Sequence, residues 1–237
     1  MATIDLGDFT AEVVRKDVKH VHLAVYPPCG RVCITAPARL KLGTIRIFAI
    51  SKLGWIKTQQ RKLEQQEREA PRELLNRESL QVWGQRRLLK IVEAEQSPGI
   101  ELRPRTLVLT IRPGSDRAKR DEVLQAWYRS SLRIAAEPLL IEWQRKLGVK
   151  INRLFVQAMR TKWGSCNPSK RNIRLNTELA KKPPACLEYV LVHELLHLIE
   201  SHHSNRFRAL LDRHLPTWRV QRDLLNALPV RHEEWSV

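Results

Sequence analysis

The stretch "VHELLHLIESHHSNRF", residues 192–207, sets four histidines and two glutamates into an otherwise apolar helical pattern. Within it His193, Glu194 and His197 spell HExxH. Residues four apart on a helix project from one face, so the two imidazoles can hold a single ion, with zinc the natural fit for nitrogen donors. The glutamate beside the first histidine is angled toward the ion's open position, where it can take a proton from water and pass it on. Zinc makes this feasible near neutral pH by lowering the pKa of water to about 7.

A catalytic zinc takes three protein ligands and keeps one position for water. Were the helix to continue through residue 203, that residue would sit about 15 Å along the axis from His193 at 1.5 Å per residue. The helix is therefore expected to end near Ser201, with Ser204 as N-cap of the next one. His203 is the leading third ligand and His202 its rival, with Asp212 and His214 on the following helix as more distant alternatives. Lys162, Trp163 and Asn176 are candidate substrate-contacting residues upstream.

These side chains need elements to position them. Alternation of apolar and polar residues over 11–36 predicts strands joined by a turn, and residues 44–67 shift to a helical period. Residues 79–112 read as a short antiparallel group of strands. A long helix follows, with Ser115 or Asp116 as N-cap, Pro138 as a kink and Gly148 as its end. Strand-like pieces over 150–176 then lead to "KKPPA", whose prolines suit a helix start, and to the histidine helix. "KRNIRLN", 170–176, is a candidate sheet edge for an extended peptide. Two short helices close the chain. No internal repeat is evident. The expected fold is α+β, with a β-rich lobe over 1–112 carrying one long helix, and a helix-rich metal-binding lobe over 113–237 with a small antiparallel sheet.

The chain has 237 residues with 43% hydrophobic content, enough for a real core, and 42 Lys+Arg against 25 Asp+Glu, a net charge of +17. Such a field attracts polyanions, so nucleic acid is a candidate partner. No stretch approaches the roughly 20 apolar residues that cross a bilayer, and the first residues lack a secretory pattern, so a cytoplasmic protein without a membrane partner is expected. The cysteines at 29, 33, 166 and 186 are then expected to be reduced and are set apart from the site. The alternative to a hydrolase is a nucleic-acid-binding protein with a structural zinc closed by Cys166 or Cys186. A glutamate directly after the first histidine has no purpose in such a site.

"MRTKWGSC" at 159–166, "IRLNTEL" at 173–179, "YVLVHELLHLIESHHSNRF" at 189–207 and "LPTWRVQRDLL" at 215–225 together resemble the YgjP-like metallopeptidase-domain family, which is similar to SprT-like and other zincin-type proteases. The resemblance spans about residues 12–228. It implies a minimal zincin-like fold with strands against the active-site helix, and zinc held by His193, His197 and His203 with Glu194 as general base. Peptide or protein substrates follow, including proteins associated with nucleic acid. Where the family commonly has Asn-His-Ser, this chain has His202-His203-Ser204.

Overall fold

A computed structural model describes residues 2–26, 30–65, 72–159 and 162–227. Cys29 lies outside them. The described residues fall into two compact units, 2–65 and 72–227.

The first unit holds four strands, β1 (Ala2–Asp5), β2 (Thr10–Lys16), β3 (His22–Tyr26) and β4 (Arg31–Pro37), in the order β1-β2-β4-β3. The expected single helix over 44–67 is two, α1 (Leu42–Ser51) and α2 (Leu53–Gln65). They part at Lys52, whose N–H closes onto the Ala49 carbonyl, and Gly54, a weak helix former, stands in the first turn beyond. Ile45, Ala49 and Ile56 share a buried core with Ile4, Ala11, Val13, Val32, Ile34 and Ala36.

The second unit opens with β5 (Ser79–Val82), β6 (Gln85–Glu93), β7 (Gly99–Leu102) and β8 (Thr106–Ile111), ordered β5-β6-β8-β7. This sheet is mixed where an antiparallel one was expected, because β6 and β8 run parallel. A period-two pattern encodes which face is buried and leaves a strand's neighbour and direction open.

The two sheets also share one wiring. In each, the second strand pairs parallel with the fourth and the third pairs antiparallel with it. Val32, Ile34 and Ala36 oppose Ala11, Val13 and Arg15 as Leu107, Leu109 and Ile111 oppose Leu89, Ile91 and Glu93. Both triplets are buried. The repeat is one of backbone pairing and core positions, with too few identical residues to be visible as a sequence period.

After β8 the helix α3 (Arg117–Leu147) starts at Asp116, whose carboxylate accepts from the Lys119 N–H, and closes at Gly148. It continues through Pro138. A three-stranded sheet follows, β9 (Arg153–Gln157), β10 (Gly164–Asn167) and β11 (Asn172–Asn176), ordered β10-β11-β9. It too is mixed, since β11 runs parallel to β9. β11 is the central strand, paired on both sides, so "KRNIRLN" is not an edge; β9 and β10 are.

A 3-10 helix, Thr177–Lys181, leads into α4 (Pro184–Leu196), then α5 (Asn205–His214) and α6 (Trp218–Ala227). Leu80, Val82, Leu89, Leu107, Leu109 and Ile111 share one core with Leu124 and Leu132 of α3 and with Leu187, Leu191 and Leu195 of α4. That common core is why the boundary falls near residue 70 and not at 112/113 as expected. Among the described residues, no helix is long and apolar enough to cross a membrane. The architecture is α+β.

Candidate metal centre

Several ties hold α4 in place. Trp143 of α3 donates from Nε1 to Glu188 Oε1 at 3.0 Å. The β5–β6 turn donates from Trp83 and Gly84 to the carbonyls of Ala180 and Lys181. Gly84 has φ +77°, and a Cβ there would lie 2.8 Å from Pro183 Cγ at the start of α4. Only glycine meets both demands. Helix α4 then buries Leu187, Val190, Leu191, Val192, Leu195 and Leu196, leaving His193 and His197 partly accessible.

The helix ends at Leu196, earlier than expected, with His197 as its C-cap. The N–H groups of Leu198 and Ile199 close back onto the carbonyls of Leu195 and Leu196 at 3.0 and 2.9 Å, tightening the last turn into 3-10 geometry. The chain reverses through Ser201 and His202. Ser204 caps α5 as expected, its hydroxyl accepting from the Phe207 N–H at 3.2 Å.

This reversal brings His203 back to the helix. One ring nitrogen from each of His193, His197 and His203 lies within 4.8 Å of the others. His193 Nε2 and His203 Nε2 are 2.9 Å apart. Tetrahedral zinc with Zn–N bonds of about 2.0–2.1 Å would hold such nitrogens about 3.3 Å apart, so the donor set fits a small divalent ion. Burial, together with the neighbouring His197 and His203, pushes His193 down to about 4, which keeps its donor lone pair free at neutral pH. His197 Nδ1 faces the Glu200 carbonyl at 3.2 Å, a contact that fixes the ring and leaves Nε2 for the cluster. His202 points elsewhere, its Nδ1 2.9 Å from Ser201 Oγ. Asp212 is engaged by Arg219 and the Trp218 indole. Among the described residues the cluster has three members, and neither Cys166 nor Cys186 joins it.

Glu194 is 6% exposed, and burial raises its carboxyl to about 7 against the opposing pull of Lys162 and of the Cys166 N–H that donates to it. The edge strand β10 therefore touches the carboxylate through its backbone. It comes close because residue 164 is glycine. A Cβ on Gly164 would lie 2.7 Å from Glu194 Oε1 and 2.8 Å from both Glu194 Cγ and Val190 Cγ1. Gly164→Ala is expected to cost about 1–3 kcal/mol through overpacking. In a unit of this size that is a fall of about 2–4 °C per kcal/mol in Tm, with a loss of hydrolysis larger than the stability change alone explains. Thermal denaturation beside an activity assay checks it.

The remaining sequence candidates are placed as follows. Lys162 is exposed and its charge reaches Glu194. Trp163 is half-buried, with the Lys182 ammonium 5.7 Å from its ring centroid. Asn176 is buried, and its amide donates to the carbonyls of Met159 and Lys162 and accepts from the N–H groups of Met159 and Glu178. It pins the chain that enters β10. Cys166, set apart on the sequence, contributes its backbone, while burial and Glu194 push its thiol up to about 11. Gly164, the Cys166 N–H and Phe207 were not singled out on the sequence. A glycine at the first position of a strand that must approach the helix is the one signal that could point to any of them.

Comparison with known proteins follows from this geometry. Residues 19–228 match the family described as YgjP-like, metallopeptidase domain. No curated protein is similar enough to match. Among solved structures, the zymogen of the metallopeptidase jannalysin from Methanocaldococcus jannaschii is 20% identical, with a TM-score of 0.34 over 39% of this chain and 88% of that one. The abylysin zymogen from Pyrococcus abyssi is 21% identical, with a TM-score of 0.35 over 38% of this chain and 90% of that one. The family match alone spans most of the chain, HExxH helix included: the chain belongs to the YgjP-like metallopeptidase-domain family and is a metal-dependent hydrolase.

Proposed function

We propose that the protein is a zinc metallopeptidase in which His193, His197 and His203 hold the ion and Glu194 is the general base. The observation that carries this is the convergence of three imidazole nitrogens beside a buried carboxylate. Zinc, when bound, supplies Lewis acidity that acidifies water and polarises a peptide carbonyl. Glu194 takes the proton at its carboxylate and delivers it to the leaving nitrogen. The Cys166 N–H orients that carboxylate, and Lys162 moderates the cost of its charge.

The extended substrate lies along the outer edge of β10, where main-chain groups other than the Cys166 N–H can add a strand. Lys162 and Trp163 directly precede that edge, and Asn176 holds Met159 and Lys162 through its side-chain amide. A structural zinc site is disfavoured because such sites are closed by a fourth protein ligand, and none joins the three histidines among the described residues. Metal content and hydrolysis of an unfolded protein, measured side by side for wild type, Glu194→Gln and His197→Ala, test the assignment.

The net charge of +17 supports a second layer to this proposal, action in the cytoplasm on proteins bound to nucleic acid. Binding to mixed-sequence duplex DNA is expected to weaken steeply with salt, log K falling linearly against log salt concentration. A salt series by fluorescence anisotropy checks it, and absence of binding at low salt removes this layer while leaving the peptidase assignment intact.

A further inference from the structure

We infer that Phe207 is the positioning residue of the metal centre, an apolar floor that sets the direction of all three imidazoles; this rests on His193, His197 and His203 being the ligands. The phenyl centroid lies 5.0, 4.7 and 5.0 Å from the ring centroids of His193, His197 and His203. The imidazole centroids are themselves 5.0, 4.9 and 4.8 Å apart. The four rings thus form a near-regular tetrahedron with Phe207 at one vertex.

That vertex is the inner one. Phe207 is 1% exposed, whereas His193 and His197 are partly exposed and His203 is exposed. Solvent and substrate therefore meet the histidines on the side away from the phenyl ring. Torsion of an imidazole about its last bond is broad and soft, so convergence of three ring nitrogens needs a wall. Phe207 supplies it by stacking on His197 at 28° and meeting His193 and His203 edge-on at 69° and 89°. A phenyl ring has no donor atom, so the floor closes the back of the site without adding a fourth ligand. Its own place is fixed by the Ser204 cap on its N–H.

Cobalt(II) binding tests this, because its visible absorption reports coordination geometry and a chelator competition gives the affinity. Phe207→Ala is expected to weaken Co²⁺ binding about 10–100-fold, the range seen when groups that orient ligands are removed, and to change the visible band. Phe207→Leu, which keeps an apolar floor but not a plane, is expected to lose less and to recover part of the band. Leu211→Ala, a core truncation on the same helix, is expected to lower Tm while leaving affinity and band at wild-type values. If Phe207→Ala fails to fold, Phe207→Leu decides alone. Wild-type affinity and band in the folded Phe207 variants would overturn the inference, as would an equal change in Leu211→Ala. Failure of the wild type to bind Co²⁺, or undiminished binding by His197→Ala, would instead overturn the ligand assignment itself.

Discussion

Glu194→Gln is expected to keep wild-type zinc content and to lose peptide hydrolysis by about 10²–10⁴-fold in kcat, the usual contribution of a positioned general base. Glutamine has the same shape, and its carbonyl can still accept the Cys166 N–H, so the packing against Gly164 survives. Only the proton acceptor is lost. The same substitution has a stability signature in the metal-free protein. The Glu194 carboxyl is raised from 4.5 to about 7 by burial, so between those values the folded chain holds a proton that the unfolded chain has released. Unfolding is then favoured progressively as pH rises through that window, and the penalty is constant above it. Metal-free Glu194→Gln should therefore equal wild type in stability below about pH 4.5 and exceed it by at most about 3 kcal/mol above about pH 7, at 1.36 kcal/mol per unit. Denaturant unfolding at several pH values, beside elemental analysis and a hydrolysis assay, checks all three outcomes. Undiminished hydrolysis in the variant would remove Glu194 from the role of base.

His197→Ala is expected to lose both metal and hydrolysis. Two histidines in place of three leave an incomplete donor set, and the fall in zinc affinity should exceed the roughly 100-fold that loss of an orienting group alone can cost. The fold should persist, since His197 caps α4 through its backbone and its side chain is only partly buried. His202→Ala is the contrast. That ring is exposed and faces Ser201, so the variant should bind zinc and turn over substrate like the wild type. Retention of full zinc content by His197→Ala, measured on dialysed protein, would sink the ligand set.

The chemistry was more legible in the sequence than the sheets were. HExxH, the Ser204 cap and the impossibility of a straight helix reaching residue 203 sufficed to bring His203 forward, since each follows from rise per residue and capping chemistry. Strand existence was legible too, but not partners: β6 and β8 are parallel although their alternation suits either direction. The choice of β11 as the edge failed for the same reason. Basic alternate residues such as Lys170 and Arg174 suit an edge, yet β10 and β9 flank that strand on both sides. Gly164 acts through close approach to Val190 and Glu194, well over twenty residues further along the chain, and spacing carries no record of that; Phe207 lies close in sequence to the histidines, but an apolar residue on an amphipathic helix reads as ordinary core.

The early end of α4 has an electrostatic consequence. Stopping at Leu196 places His193 in the last turn and His197 at the cap, where the peptide dipoles of the helix sum to a partial negative charge. That pole favours a cation resting among the imidazoles and disfavours charge on the neighbouring carboxylate. On the proposed assignment, one abrupt stop would thus favour an ion among the imidazoles and raise the cost of charge on Glu194.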